Sequence, residues 1–358
     1  MSSQYRSRGT NSNEPSRFLK RKVILEEQVD EIDGDFSSDV TLKTSFYPDK
    51  TQNILTRNKS PDIGFSTSIN PYKGCEHGCV YCFARPTHAY LDLSPGIDFE
   101  TKIFYKTNAV KLMHKELDKA GYVCSPIALG TNTDPYQPVE KSLEVTRQLI
   151  GGLSERKHPL TIVTKSTLIE RDLDLLAELA TKNLVNVNVS ITTLSRTLKN
   201  QLEPRTASPQ ARLRLIEKLS ARGVPVGVLV APIIPFINDH EIEKIVAQGA
   251  RAGALACSGI LLRLPLEVKD LFDQWLLRYY PLKRDRVMAA IRDMRGGQAN
   301  DFRWFSRMRG HGPIADMIWA RFSSALQRAG LFDRKMPVLD CNQFVPRSAG
   351  GPRQLELI

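Results

Sequence analysis

The chain has 358 residues, 41% hydrophobic and 25% charged, enough to bury a full core in one large domain or two ordinary ones. Its 50 Lys and Arg against 39 Asp and Glu give a formal net charge of +11, which suits a polyanionic partner without naming one. Six unevenly spaced cysteines exclude a disulfide scaffold; the longest apolar run, Gly223 to Ile237, is broken by Pro225, Pro232 and Pro235, which excludes a membrane span and a membrane partner.

Residues 1–60 read as a polar, partly disordered N-terminal extension, with bases concentrated in residues 1–22 and acids in residues 26–39. No apolar stretch near the start resembles a secretory signal, so a cytoplasmic location is expected. From about residue 65 the pattern becomes βα. FSTSIN, PIALGT, LTIVT, LVNVNVSIT, VPVGVLVAP and GILLRLP read as strands. Helical patterns fall between them at Val110–Ala120, Val139–Ser154, Arg171–Lys182, Pro209–Ala221 and Glu241–Ala252. Six strands alternating with helices predict an α/β fold of parallel units, as a barrel, a partial barrel or a doubly wound sheet. That region spans residues 61–266. Residues 267–345 read as a helical C-terminal cap, and 346–358 as a flexible tail.

Three of the six cysteines fall in one stretch after the first strand, as C-x3-C-x2-C at Cys75, Cys79 and Cys82. With His77 or His88 they would make a tetrahedral Cys3His zinc site. Zinc sites usually add a second ligand pair well downstream, and none is present. Three thiolates in one loop can instead hold three irons of a [4Fe–4S] cluster and leave the fourth open.

With Tyr81 before the third cysteine, the stretch resembles the signature of the radical S-adenosylmethionine (SAM) superfamily. SINPYKGCEHGCVYCFARPTHAY, GTNTDPYQPVE, TIVTKSTLIERDLDLL, LEPRTASPQARL and GVPVGVLVAPIIPFIND resemble its spore photoproduct lyase-like branch, and within it the bacterial members called DNA-repair-photolyase-like. The resemblance runs from about residue 54 to 325 and implies a partial (β/α)6 barrel. It implies that Cys75, Cys79 and Cys82 bind a [4Fe–4S] cluster and that SAM binds the open iron. Reductive SAM cleavage would then yield a 5′-deoxyadenosyl radical that abstracts hydrogen from substrate, with a reductant such as flavodoxin or ferredoxin. Tyr81 stands where the family packs an aromatic beside adenine. Thr131, Thr133 and Asp134 stand where it meets the SAM amino group, and Lys165 where it reaches the carboxylate. Ser190 is expected near the ribose or methionine moiety, and Arg205 as a carboxylate or phosphate fork. The strand-two cysteine that spore photoproduct lyase uses to return hydrogen is missing from Thr131–Asp134, which argues against the spore lesion as substrate. Cys124, Cys257 and Cys341 read as incidental thiols.

Between Arg278 and Arg309 nine bases face three acids, with Tyr279, Tyr280, Phe302, Trp304 and Phe305 interleaved. Arginine with aromatics suits phosphate contact plus base stacking, so DNA or RNA is the expected partner of this stretch. Gln354–Ile358 resembles the short peptides by which bacterial DNA enzymes dock on the replication sliding clamp. The expected activity is therefore radical SAM repair or modification of nucleic acid. A peptide or small-molecule substrate, a non-catalytic iron–sulfur or zinc module, and a clamp-associated protein with a sensing cluster are the alternatives.

Overall fold

A computed structural model describes residues 7–18 and 42–346; the tail peptide Gln354–Ile358 lies outside them. Six strands line up side by side and parallel in chain order: β3 (Thr67–Ile69), β6 (Ile127–Leu129), β7 (Leu160–Thr164), β8 (Val185–Ser190), β9 (Val226–Ile233) and β10 (Ala256–Leu261). The short β2 (Leu55–Arg57) joins antiparallel to β3, so the seven-stranded sheet ends on β2 and β10 and stays open. Valine takes alternate positions in β8 and recurs through β9, and nearly every residue of both strands is buried, as expected for strands covered by crossover helices. The covering helices include α2 (Ala109–Leu117), α4 (Val145–Glu155), α5 (Leu173–Thr181), α7 (Pro209–Ala221) and α8 (Ile242–Arg251). This is an open, partial (β/α)6 barrel. Its ligand-bearing face lies at the C-terminal ends of the strands.

Two predicted elements shift for identifiable reasons. The helix expected over 139–154 breaks at Glu144, which takes a left-handed conformation (φ 52°) between α3 (Glu140–Leu143) and α4. The Glu140 carboxylate caps the restarted helix through the Thr146 and Arg147 backbone N–H groups, at 2.9 and 3.3 Å. The last strand starts earlier than GILLRLP suggests. Buried Arg295 draws the Leu261 and Leu262 carbonyls aside, at 3.0 and 2.9 Å, and the chain leaves the sheet.

The ends of the chain depart most from the expected domains. Part of the expected N-terminal extension is built into the fold. β1 (Ser45–Asp49) pairs in parallel with β5 (Lys102–Lys106), which also pairs with β4 (Tyr72–Lys73), in a second sheet of three strands. The expected C-terminal cap separates into three parts. α9 (Val268–Tyr279) and α10 (Arg284–Asp293) pack with Val80 and Tyr81 over the site-bearing end. The short α11 (Ser306–Arg309) precedes α12 (Pro313–Arg328), which lies against the outside of the barrel; its Trp319 and Phe322 come close enough to Gly259 of β10 that a Cβ there would lie 3.3 and 3.2 Å from them. Residues 336–345 then cross the opposite end, where Asn186 donates to the Pro337 carbonyl and Val345 N–H to the Arg156 carbonyl. No helix among the described residues is long and apolar enough to cross a membrane.

Candidate functional site

The cysteine loop follows β4 and is fixed mainly through its backbone. Cys75 N–H donates to the Phe99 carbonyl at 2.9 Å, and Val80 N–H to the Leu202 carbonyl at 3.1 Å. Arg85, fully buried, donates to the Cys79 carbonyl at 2.9 Å and to the Glu100 carboxylate at 2.6 Å. Glu100 in turn accepts from the Gly9 and Thr10 N–H groups, so residues 8–10 strap the loop from outside. Gly78 is required here. Its φ is +67°, and a Cβ would lie 2.6 Å from Glu100 Oε2. Gly78→Ala is expected to destabilise the protein by about 1–3 kcal/mol and to lower iron uptake on reconstitution; denaturant melts and iron assay check this.

Burial pushes the Cys75 thiol well above its ordinary value, with Asp134, Cys79 and Cys82 adding to the effect. Burial likewise pushes Cys79 up to about 12, against the pull of Lys165. Bare thiolates are therefore unfavourable here, whereas thiolates bound to a cationic cluster are not. Among the described residues no three His, Cys, Asp or Glu side chains converge to hold a single metal ion. His77 pairs with Asp134 (3.3 Å) and His88 Nε2 lies 3.0 Å from the Lys102 carbonyl, and neither converges with the cysteines as a Cys3His set would. Three soft thiols on one glycine-shaped loop, one for each of three irons, fit an iron–sulfur cluster.

The structure sorts the residues expected to contact SAM into two groups. Tyr81 belongs to the loop and Lys165 lies beside it. The Lys165 ammonium lies 6.0 Å from the Tyr81 ring centroid; burial works to lower its pKa, but Cys79 and Glu203 outweigh this and raise it. Ser190 ends β8 and is buried. Thr131 pairs with Asn70, at 3.1 and 3.2 Å, at the mouths of β6 and β3. The others are tied inside the protein. Thr133 donates to the Tyr72 carbonyl (3.1 Å). Asp134 accepts from Thr164 Oγ1 and Lys165 N–H, both at 2.7 Å, and from Tyr136 N–H at 2.9 Å. Burial alone would raise the Asp134 carboxyl, yet His77 and these donors hold it at about 2. Arg205 pairs with Glu76 of the cysteine loop at 3.1 Å. Asp134, through His77, and Arg205, through Glu76, therefore help to position the loop.

Sequence reading missed the charged layer beneath the loop. Glu203 and Arg212, 0% and 1% exposed, pair at 2.6 Å. Glu203 also accepts from Tyr81 and from Thr192, the latter at 2.6 Å. Burial works to raise its carboxyl, but Arg212, Lys165, Thr192 and Tyr81 bring it to about 2. The only signal was Glu203 standing two residues before the Arg205 already singled out.

The basic stretch is also redistributed. Arg295 is buried on backbone carbonyls, including those of Ser306 and Arg307 at 3.1 and 2.7 Å, and Arg307 pairs with Asp62 at 2.7 Å. Arg284 and Arg303 are engaged by Asp273 and Asp301. Phe302, Trp304 and Phe305 remain 69%, 57% and 62% exposed. Phe83, next to Cys82 and 43% exposed, carries Arg263 over its ring at 4.6 Å.

The family model described as Radical SAM superfamily matches residues 69–248. The chain belongs to the radical SAM superfamily. It is an enzyme of that superfamily, whose cofactors are SAM and a [4Fe–4S] cluster. An uncharacterised protein of Mycobacterium tuberculosis is 41% identical over 229 residues, 63% of this chain and 67% of that protein. An uncharacterised protein of Methanocaldococcus jannaschii is 28% identical over 173 residues, 48% of this chain and 62% of that protein. Spore photoproduct lyase complexed with dinucleoside spore photoproduct superposes with a TM-score of 0.55 at 17% identity, over 79% of each chain. A point mutant of that lyase gives 0.56 at 18%, over 80% of each. The fold is thus that of spore photoproduct lyase.

Proposed function

We propose that this radical SAM enzyme modifies or repairs nucleic acid, with Cys75, Cys79 and Cys82 holding the cluster. When bound, the cluster and SAM supply reductive cleavage and a hydrogen-abstracting radical. The chain's own residues hold that chemistry in place. Arg85, Glu100 and Arg205 fix the loop, and Lys165, beside the Tyr81 ring, acts electrostatically on Cys79. Lys165 supplies a fixed cation for a carboxylate, and the Asn70–Thr131 pair offers acceptors for an ammonium. Helices α9 and α10 exclude water by packing over the loop.

One observation supports a nucleic-acid substrate: the exposed rings Phe83, Phe302, Trp304 and Phe305 lie on segments that also carry the partly buried Arg263 and Arg307, which act on each other electrostatically. Phe83 follows Cys82, Arg263 stacks on Phe83, and Asp62 joins Arg307 and the Phe305 backbone N–H at 2.7 and 3.0 Å. Rings and guanidinium groups of this kind stack bases and meet phosphates. The test is SAM cleavage by reduced enzyme with and without single-stranded DNA or RNA. Stimulation by one of them, and at least tenfold weaker binding in a Phe302→Ala, Trp304→Ala, Phe305→Ala triple variant, are expected. Binding unchanged by the triple variant rejects this surface. A cytoplasmic location and sliding-clamp docking through residues 354–358 belong to the same proposal, the latter tested by clamp pull-down with the tail deleted.

A further inference from the structure

A cavity of about 260 Å³ opens beside the second sheet, apart from the cysteine loop, between the end of β5 and the start of α4. Lys106, Asn108, Lys111 and Gln148 are among its lining residues, and no Asp or Glu is. Lys106 ends β5 and is only 8% exposed. Among the described residues its ammonium makes no hydrogen bond and no ion pair. The carboxylate across the strand pair, Asp49, is bound at 3.0 Å to Lys73 instead. Two lysines thus share one aspartate, and one positive charge is left over beside the cavity. Burial depresses Lys106 to about 8; Asp49 opposes this and Lys73 adds to it.

The same cavity receives the N-terminus of α2, a nine-residue helix with no acid in its first turn and no side-chain cap. Asn108, at the capping position, donates its amide N–H to the Thr51 carbonyl (3.0 Å), and its Oδ1 makes no hydrogen bond to the helix. The first-turn N–H groups of Ala109, Val110 and Lys111 therefore lack the acceptor that a cap or an acidic residue usually supplies. An unpaired ammonium, a second lysine and a bare helix N-terminus converge without a negative charge. A tetrahedral oxyanion, with oxygens pointing in several directions, can meet all three at once.

We propose that this cavity is a phosphate-binding site in which Lys106 is the anchoring charge and the α2 N-terminus the hydrogen-bonding wall. The phosphate is either a free one, inorganic or on a nucleotide, or a backbone phosphate of a nucleic-acid strand.

The test titrates the full-length protein with inorganic phosphate by calorimetry and thermal melting, at ionic strength held constant with KCl and without SAM or reductant. The outcome therefore does not depend on the proposed reaction. Phosphate is expected to raise Tm, and Lys106→Met to weaken binding about 10- to 100-fold, the effect of losing a charge-assisted hydrogen bond. Because Met keeps the mostly buried stem and removes a charge without a counter-ion of its own, the variant is expected to fold at least as well as the parent. Lys111→Gln gives a second, milder loss at an exposed position. A parent that does not respond to phosphate, or a Lys106→Met variant that binds it as well as the parent, overturns the site. A single-stranded oligonucleotide then separates the sources. If it displaces phosphate, and Lys106→Met lowers its salt slope by about one, the site takes a backbone phosphate. If phosphate stays bound beside the oligonucleotide, it takes a free one.

Discussion

Reconstituted under anaerobic conditions, the parent protein is expected to be brown and to hold about four irons per chain, while Cys79→Ala holds markedly fewer and releases no 5′-deoxyadenosine from SAM under dithionite. The size of this effect follows from the loop. Cys79 has no neighbouring thiol or imidazole to substitute for it: the adjacent His77 is held by Asp134, and Cys75 and Cys82 are already committed on the proposed assignment. Burial makes the Cys79 thiol a poor acid, at about 12, so little in the apoprotein favours a free thiolate there. Cys257 gives the contrast. It lies on β10 and its thiol is also raised to about 12 by burial, yet no other cysteine acts on it. Cys257→Ala is expected to keep both iron and SAM cleavage. A colourless parent with one tightly held zinc, or full activity in Cys79→Ala, would sink the cluster assignment.

The parallel core was legible because each of its main strands is an apolar, β-branched run buried by crossover helices, and such runs announce themselves in one dimension. β7 and β8 fall within the segments expected, and β9 runs one residue past its own. The second sheet was not legible. β4 has two residues and β1 is mostly exposed, so neither carries a burial pattern; both depend on pairing with β5. At the site, cysteine spacing is local and could be read. The role of Asp134 could not, because it depends on His77 and on the β7 end meeting it in space. Arginine-rich composition also misled in part. The sequence between Arg278 and Arg309 does not distinguish Arg295, spent on buried carbonyls, from the exposed Arg309 that lies over the Trp319 ring.

The charged layer under the loop carries the largest expected loss of stability. Arg212→Met removes the one guanidinium paired with Glu203 among the described residues, leaving a fully buried carboxylate with Lys165 as a remaining cation. Breaking a buried pair from one side costs about 3–5 kcal/mol, since the remaining charge stays desolvated. Arg212 also donates to the Ala207 and Ser190 carbonyls, at 3.0 and 2.8 Å, which adds orphaned backbone acceptors. Denaturant unfolding measures the total. Glu203→Gln separates the charge from the shape, because an amide can still accept from Thr192 while no longer needing a counter-ion. The double variant is therefore expected to lose less than the sum of the two singles, with a coupling of about 1 kcal/mol or more. Full additivity would mean that the two groups stabilise the barrel independently. The functional consequence runs through Tyr81, whose hydroxyl donates to Glu203, and through Lys165, whose charge Glu203 helps to hold. Where Arg212→Met still folds, it is expected to retain iron on the backbone-fixed cysteine loop while SAM cleavage falls. Iron content and cleavage falling in step would place the layer's influence on the loop itself.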